Sequence, residues 1–325
     1  MFEKVVMITL FTFILVFGIS GNATITIAYL TNKKLRKHFV VTISLALFGT
    51  FGSMFYCLSL YYYVIGEDMT GFLCNLNGFA LSTLSVGTIH LLALLSFERY
   101  LATVHPFSLR RCTIQHKLLA VALTILCTLM TTYPPLIGWS QYVIIDKEGG
   151  YCTFDYVSKD LNSRTYLLML FMSAYVIPAV IIIVCYINIY RTAVLLPCTN
   201  VRSTSTDQTP QSRSRLFEQR DRMFQGNLTR IVLVAVLTFM VSWTPYAILA
   251  VVWQFVANEI PSRKYILTSV CFAKLSVVWN PIIYGLNDRQ FRFTDSMVRL
   301  RSMSERSEKR SEEHHNTPVD RRTKL

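Results

Sequence analysis

The chain has 325 residues, of which 52% are hydrophobic and only 16% charged, against roughly 25% charged in an average soluble domain. Charge this sparse argues against a soluble globule, and the apolar content excludes a wholly disordered chain. With 13 Gly and 10 Pro the sequence is neither collagen-like nor low-complexity. Its net charge of +13 fits a nucleic-acid binder only if the basic residues cluster on a soluble domain.

Taken in chain order, six stretches lack Asp, Glu, Lys and Arg over at least 26 residues each: 5–32, 38–66, 69–97, 118–145, 165–190 and 231–258. A helix crosses the roughly 30 Å hydrocarbon layer in about 20 residues, so each is long enough to span it. A seventh stretch, 265–287, is equally apolar but is interrupted by one cation, Lys274. Backbone amides in lipid must be paired within their own segment, and the stretches lack the alternation of a barrel. The fold class expected is an all-α membrane protein, a seven-helix bundle within residues 1–290. Its predicted spans are 5–31, 39–65, 72–100, 118–140, 165–191, 229–257 and 264–287. The 192–228 segment reads as a polar loop, 288–299 as a short amphipathic helix on the membrane surface, and 300–325 as a disordered tail. The sequence holds no internal repeat, which weighs against a transporter.

The positive-inside rule orients the bundle. With the N-terminus outside, 25 of the 32 basic residues fall inside, 6 fall outside, and Lys274 lies within the membrane. Such asymmetry removes the nucleic-acid reading: these charges face anionic lipid or a cytoplasmic partner. The first apolar run is too long for a signal peptide and lacks a small-residue cleavage site, so it reads as a retained helix. The 192–228 segment becomes the third cytoplasmic loop.

Of eight Cys, only Cys74, at the outer start of the third span, and Cys152, in the outer 140–164 loop, face oxidising space. A bridge between them is expected to pin that loop across the mouth of the bundle; two free thiols are the alternative.

Lys274 demands a chemical reason. An ammonium at mid-membrane costs roughly 3 kcal/mol or more, and Lys274 lies too deep in its span to reach either surface with ease. Three readings stay open at this point: a cation paired to a buried carboxylate, a lysine held neutral by burial, or a Schiff base with an apolar aldehyde. The first is weakened because no predicted span offers Asp or Glu at middle depth. The same lack of membrane carboxylates disfavours an ion pump.

Neighbouring motifs narrow the choice. Phe239-Met-Val-Ser242-Trp243-Thr-Pro245-Tyr246 sets a proline beside large aromatics in the sixth span, giving a pivot and an apolar wall. Asn280-Pro281-Ile282-Ile283-Tyr284 follows Phe272-Ala273-Lys274 by six positions, and Glu98-Arg99-Tyr100 ends the third span. With Cys74-Asn-Leu-Asn77-Gly78-Phe79, Pro134-Pro135-Leu-Ile-Gly138-Trp139-Ser140 and Gln290-Phe291-Arg292, about residues 18–295 resemble the rhodopsin-like G-protein-coupled receptors, and among them the opsins. The lysine at this offset from Asn-Pro is the most specific element.

The resemblance implies that Lys274 carries retinal, 11-cis or all-trans, as a Schiff base. Trp243 and Tyr246 would pack the polyene, faced by Asn77, Gly78, Leu81, Ser82 and Ser85 of the third span. Glu98, Arg99, Tyr100, Asn280, Pro281 and Tyr284 would form the activation switch, and a heterotrimeric G protein would be the partner. Serines of the tail, such as Ser302, Ser304 and Ser307, would offer phosphorylation sites to a receptor kinase, and then arrestin a docking charge. The expected location is a plasma or photoreceptive membrane, multi-pass, with membrane lipid around it. The chain reads as a receptor and not an enzyme, with no metal site. Two rivals stand beside this: a retinal photoisomerase with weak signalling, and a chemoreceptor that is not photoreceptive.

The sequence departs from the family at several positions. Asn77 stands where vertebrate visual opsins keep a glutamate counterion, and asparagine cannot neutralise a protonated Schiff base. Asp146, six residues before Cys152, is the first candidate anion; counting from Trp139 puts Ile145 there instead, so Glu148 and a bound chloride stay open. Gly49 replaces the usual aspartate of the second span. Gln225 stands where many relatives hold Arg99 with a glutamate, which is expected to weaken the inactive state. The pattern points to a non-visual or invertebrate type.

Overall fold

The structure is a computed structural model that describes residues 2–31, 33–145, 152–195, 210–256 and 262–287. Among these, seven helices are long and apolar enough to cross a membrane: α1 (Lys4–Thr31), α2 (Val40–Ile65), α3 (Gly71–Val104), α4 (Ile114–Thr132), α5 (Leu161–Val194), α6 (Gln225–Phe255) and α7 (Lys264–Ile283). The expected seven-helix membrane bundle is therefore present. Its α3 is central and packs on α2, α4, α5 and α6. By contrast α4 turns Leu119, Leu123 and Met130 outward, an apolar stripe that water would penalise and lipid does not.

Local chemistry sets the helix ends. The fourth span, expected over 118–140, stops at Thr132 because Pro134 and Pro135 have no N–H and disfavour helix before them; a short 3-10 turn, Pro134–Ile137, follows instead. The fifth starts at Leu161 because Asp160 accepts a bond from the Ser163 N–H at 2.9 Å, a typical N-cap. The backbone helix that carries α6 begins at Pro210, inside the segment expected to be loop. Proline suits a first helical position, and residues 211–224 hold good helix formers without Gly or Pro. The last helix runs Arg263–Asn287, through the Asn-Pro motif.

The break at Pro281 is absorbed by a neighbour. Pro281 in α7 leaves the Val277 carbonyl without its helical donor, and Asn22 Nδ2 of α1 donates to that oxygen at 3.3 Å. Gly21 makes the approach possible: a Cβ there would lie 2.8 Å from Pro281 Cβ. Gly49 likewise admits the Asn22 amide, which a Cβ would meet at 2.5 Å. Asn22 thus fills the space that Gly49 leaves beside it.

Polar ties also cross the apolar layer. A π-helical turn in α5, Met172–Val176, turns the Ser173 carbonyl out of register, and His90 of α3 bonds it through Nε2 at 3.0 Å. His90 Nδ1 lies 2.9 Å from Thr128 Oγ1 of α4, so one ring joins three helices. Thr131 and Ser173 hydroxyls meet at 2.7 Å beside it.

The outer loop forms a small hairpin, β1 (Tyr142–Val143) and β2 (Thr153–Phe154), antiparallel with Tyr142 opposite Phe154. The expected bridge from Cys74 to Cys152 is formed, with Cα atoms 5.3 Å apart, and holds the hairpin against α3.

Candidate functional site

Lys274 is buried in α7, on the face that looks inward from the Asn-Pro break. Its Nζ stands 4.7 Å from the centre of the Tyr56 ring on α2 and 5.8 Å from that of Phe11 on α1. The side chain opens into a cavity bordered by Leu81, Ser82 and Ser85 of α3 and by Trp243 and Tyr246 of α6. A second chamber adjoins the first, sharing Ser85, Val86, Phe154, Leu170, Trp243 and Tyr246, and runs on between α5 and α6 toward Phe171 and Tyr175. The two lie side by side across these shared walls, and the Lys274 amine borders the first of them.

Rigid contacts shape the walls. The Trp243 indole N–H donates to Ser276 Oγ at 3.0 Å, and Ser276 Oγ in turn donates to the Ala273 carbonyl beside Lys274 at 2.6 Å. The tryptophan of α6 is thereby coupled to the turn that carries the lysine. Phe239 stacks on Trp243 at 5.8 Å, and Tyr246 meets it edge-on at 5.9 Å. Pro245 lies between those two rings in sequence and frees the Val241 carbonyl, so the hinge sits at the cavity floor.

The hairpin is the roof. Thr153 Oγ1 meets the Tyr246 hydroxyl at 3.1 Å, and Phe154 packs edge-on to Tyr246 at 6.0 Å. Tyr142 lies over Gly78, where a Cβ would come within 2.6 Å of its ring, and its hydroxyl donates to the Thr132 carbonyl at 2.7 Å. Asp155 clamps the hairpin base by accepting from Gln141 Nε2 and from the Val157 and Ser158 N–H groups. Burial opposes ionisation of Asp155, but the bonds from Ser158, Val157 and Gln141 outweigh it and hold its pKa below the ordinary value.

At the inner end Glu98 is shared. Its carboxylate pairs with Lys117 of α4 at 2.5 Å and lies 3.6 Å from Arg99 Nη2. Lys117 Nζ also donates to the His38 carbonyl at 2.9 Å, tying in the turn before α2. Arg99 Nη1 donates to Gln225 Oε1 of α6 at 3.2 Å. The latch between α3 and α6 is therefore a bond to a neutral amide.

The sequence candidates sort into three groups. Lys274, Trp243, Tyr246, Leu81, Ser82 and Ser85 come together around one cavity. Asn77 and Gly78 sit above it: Asn77, fully buried, accepts from Ser59 Oγ and the Cys152 N–H and donates to the Phe55 carbonyl, while Gly78 makes room for Tyr142. Among the switch residues, Glu98 and Arg99 meet as expected, whereas Tyr100 turns aside to bond His105 Nε2 at 3.0 Å. Asn280 is buried beside Pro281. Asp146, Glu148, the 288–299 segment, the tail serines and the side chain of Tyr284 lie outside the described residues. Sequence reasoning missed Tyr56, Phe11 and Phe154 as neighbours of the site. Nothing in the apolar pattern distinguishes an aromatic that faces Lys274 from one that faces lipid. Lys117 entered only as one of the inner positive charges, although its place at the start of α4, level with the end of α3, was a usable signal.

Residues 21–284 match the family described as 7 transmembrane receptor (rhodopsin family). The chain is 28% identical over 282 residues to melanopsin of Branchiostoma belcheri, covering 85% of this chain and 39% of the relative. It is 27% identical over 288 residues to a Gq-coupled rhodopsin of Mizuhopecten yessoensis, covering 85% and 55%. Green-sensitive opsin-3 of Danio rerio is 30% identical over 293 residues, covering 86% and 77%. The chain thus spans well under two thirds of the first two relatives. The crystal structure of squid rhodopsin shares the fold, with a TM-score of 0.78 at 23% identity over 90% of this chain and 85% of that one. This protein belongs to the rhodopsin family of seven-transmembrane receptors and groups there with the opsins.

Proposed function

We propose that this chain is a light-activated G-protein-coupled receptor that carries retinal on Lys274 as a Schiff base. The observation that carries the reading is one buried amine bordering the first of two adjoining, mostly apolar chambers. The residues fit such a group: the amine can condense with an aldehyde by losing one water, and aromatic and aliphatic walls suit a polyene. When bound, retinal supplies a chromophore whose shape changes on absorbing light.

The rest falls to the chain. The hairpin, pinned by Cys74–Cys152 and by Tyr246, keeps water from the linkage. Trp243 feels the cavity on one side and Ser276 of α7 on the other, so a changed cavity shape bears on both helices. Rotation of α6 about Pro245 moves its inner end away from α3 and breaks the bond from Arg99 to Gln225. A cleft then opens for the G protein. A ligand shifts this equilibrium only by its differential affinity for the two states, which is what a change of isomer in place provides.

The test is light-driven nucleotide exchange. Retinal-loaded receptor in nanodiscs, mixed with purified heterotrimeric G proteins, is expected to accelerate exchange on illumination. Catalytic release of one retinal isomer with no exchange on any G protein would instead mark a photoisomerase.

A further inference from the structure

Resting on the reading of the chain as a retinal receptor, we propose that His90 of α3 is the positioning residue of a two-register element in α5: it holds the π-helical turn Met172–Val176, through which Tyr175 restrains the α6 hinge. The turn rests on an exchange of hydrogen bonds. In an α-helix the Ser173 carbonyl accepts from the N–H four residues on, that of Ile177. Here the Ile177 N–H goes to the Met172 carbonyl instead, a five-residue step. The donor that a π-helix would give Ser173 belongs to residue 178, which is proline and has no N–H. His90 Nε2 takes that place at 3.0 Å, and since a carbonyl only accepts, Nε2 carries the proton. A side chain of α3 and an amide of α5 are thus alternative donors to one carbonyl, and which of them bonds it decides the register of the turn.

The neighbours of the turn give the register its reach. Ser173 Oγ lies 2.7 Å from Thr131 Oγ1, and His90 Nδ1 2.9 Å from Thr128 Oγ1, so α4 steadies both partners. Tyr175, within the turn, has its hydroxyl 2.7 Å from Thr244 Oγ1 of α6, the residue before Pro245. Thr244 Oγ1 itself donates to the Met240 carbonyl at 2.7 Å, which leaves Tyr175 as the donor to Thr244. Phe171, Ala174 and Tyr175 also border the second chamber, so a ligand that changes shape there presses on this turn. Once the His90 bond breaks, the Ile177 N–H returns to Ser173 and the turn closes to α-helix. An α-helix turns about 100° per residue, so drawing one residue out of the turn rotates one side of α5 against the other, and Tyr175 leaves Thr244. Chamber wall, α5 register and α6 hinge then change together, a discrete step that amplifies a small shift at the ligand.

Nucleotide exchange in the dark reads the hinge, and thermal unfolding of the same samples reads stability. Retinal-loaded parent, His90→Leu, His90→Gln, Tyr175→Phe and the double variant of His90→Leu with Tyr175→Phe are compared in nanodiscs with purified heterotrimeric G protein. His90→Leu is expected to raise dark exchange about fivefold, the worth of one net hydrogen bond, and Tyr175→Phe by a similar factor. His90→Gln, whose amide N–H reaches the same carbonyl, is expected to restore most of the restraint. Because the two residues act in series, the double variant is expected to match His90→Leu and not to multiply the two effects. Dark exchange in His90→Leu equal to or below the parent, whatever its unfolding temperature, overturns the proposal, as does a double variant that shows the product of the single effects. Should His90→Leu fail to fold, His90→Asn takes its place under the same criteria, since its shorter amide keeps the Thr128 contact but falls short of Ser173. A parent without light-driven exchange overturns the receptor reading and the His90 role together, whereas a responsive parent with variants unchanged in the dark overturns only the latter.

Discussion

At the outer end of the bundle a disulfide, a two-stranded hairpin and a run of hydroxyl bonds tie α3, α4 and α6 to a single roof. At the inner end α3 meets α6 through the bond from Arg99 to the neutral Gln225, while Glu98 is drawn sideways to Lys117. The first set adds a covalent bridge and aromatic contacts to its hydroxyl bonds; the second consists of polar side-chain contacts. A receptor needs that division, because the ligand end must keep its shape while the partner end moves. The device here differs from a strong ionic latch: Lys117 competes for the only carboxylate near Arg99 among the described residues, so the closed state rests on weak terms.

Breaking the roof gives the largest effect. Cys74→Ser removes a bridge closing 78 residues of separation, and loss of such a bridge costs about 2–5 kcal/mol. Thermal unfolding in detergent is expected to show the drop, with chromophore retention falling alongside it. Next in size is the packing of α1 on α7. Gly21→Ala brings a Cβ to 2.8 Å from Pro281, and overpacking of this kind costs about 1–3 kcal/mol. Its denaturation midpoint falls, whereas Gly226→Ala, inside a helix and with open space around it, is expected to raise the midpoint slightly, since Ala favours helix over Gly by about 1 kcal/mol.

The inner end is sharpened by adding charge. Gln225→Glu turns the Arg99 bond into a charge-assisted one, gaining about 1 kcal/mol, so nucleotide exchange in the dark is expected to fall about fivefold. Lys117→Met acts in the same direction by releasing Glu98 to Arg99, though more weakly. Dark activity that rises in either variant would break the comparison between a firm roof and a soft latch.

Acid probes the smallest contribution. The Asp155 pKa is depressed in the folded protein, so its carboxylate stabilises the hairpin fully above the ordinary carboxylate value of about 3.9 and progressively less as pH falls through the folded value. Asp155→Asn is expected to be slightly less stable than the parent at pH 7 and equal to it in strong acid. Unfolding temperatures measured across that window check the convergence.

The bundle itself was legible because lipid imposes a one-dimensional rule: charge vanishes for the length of a span, as between Lys37 and Glu67. Lys274 was legible for the same reason, as the exception to that rule. What the pattern hides is rotation about each helix axis. Tyr56 and Tyr61 look alike in sequence, yet one faces Lys274 and the other is exposed on the outer surface of the bundle. The prolines stopped α4 early, and Gly21 and Asn22 met Pro281 and its orphaned carbonyl; both follow from backbone chemistry, but only the fold says which helix supplies the partner. Lys117 shows the limit of counting charges, since topology used its sign and the latch uses its position.

The central claim is that the Lys274 amine binds retinal covalently. Loading the parent and Lys274→Ala with retinal, reducing with borohydride and mapping the adduct by peptide mass spectrometry tests it most directly. The account predicts a retinyl group on the peptide that contains Lys274 and none on the alanine variant. An adduct at another lysine, or light-driven nucleotide exchange that survives in Lys274→Ala, would contradict it.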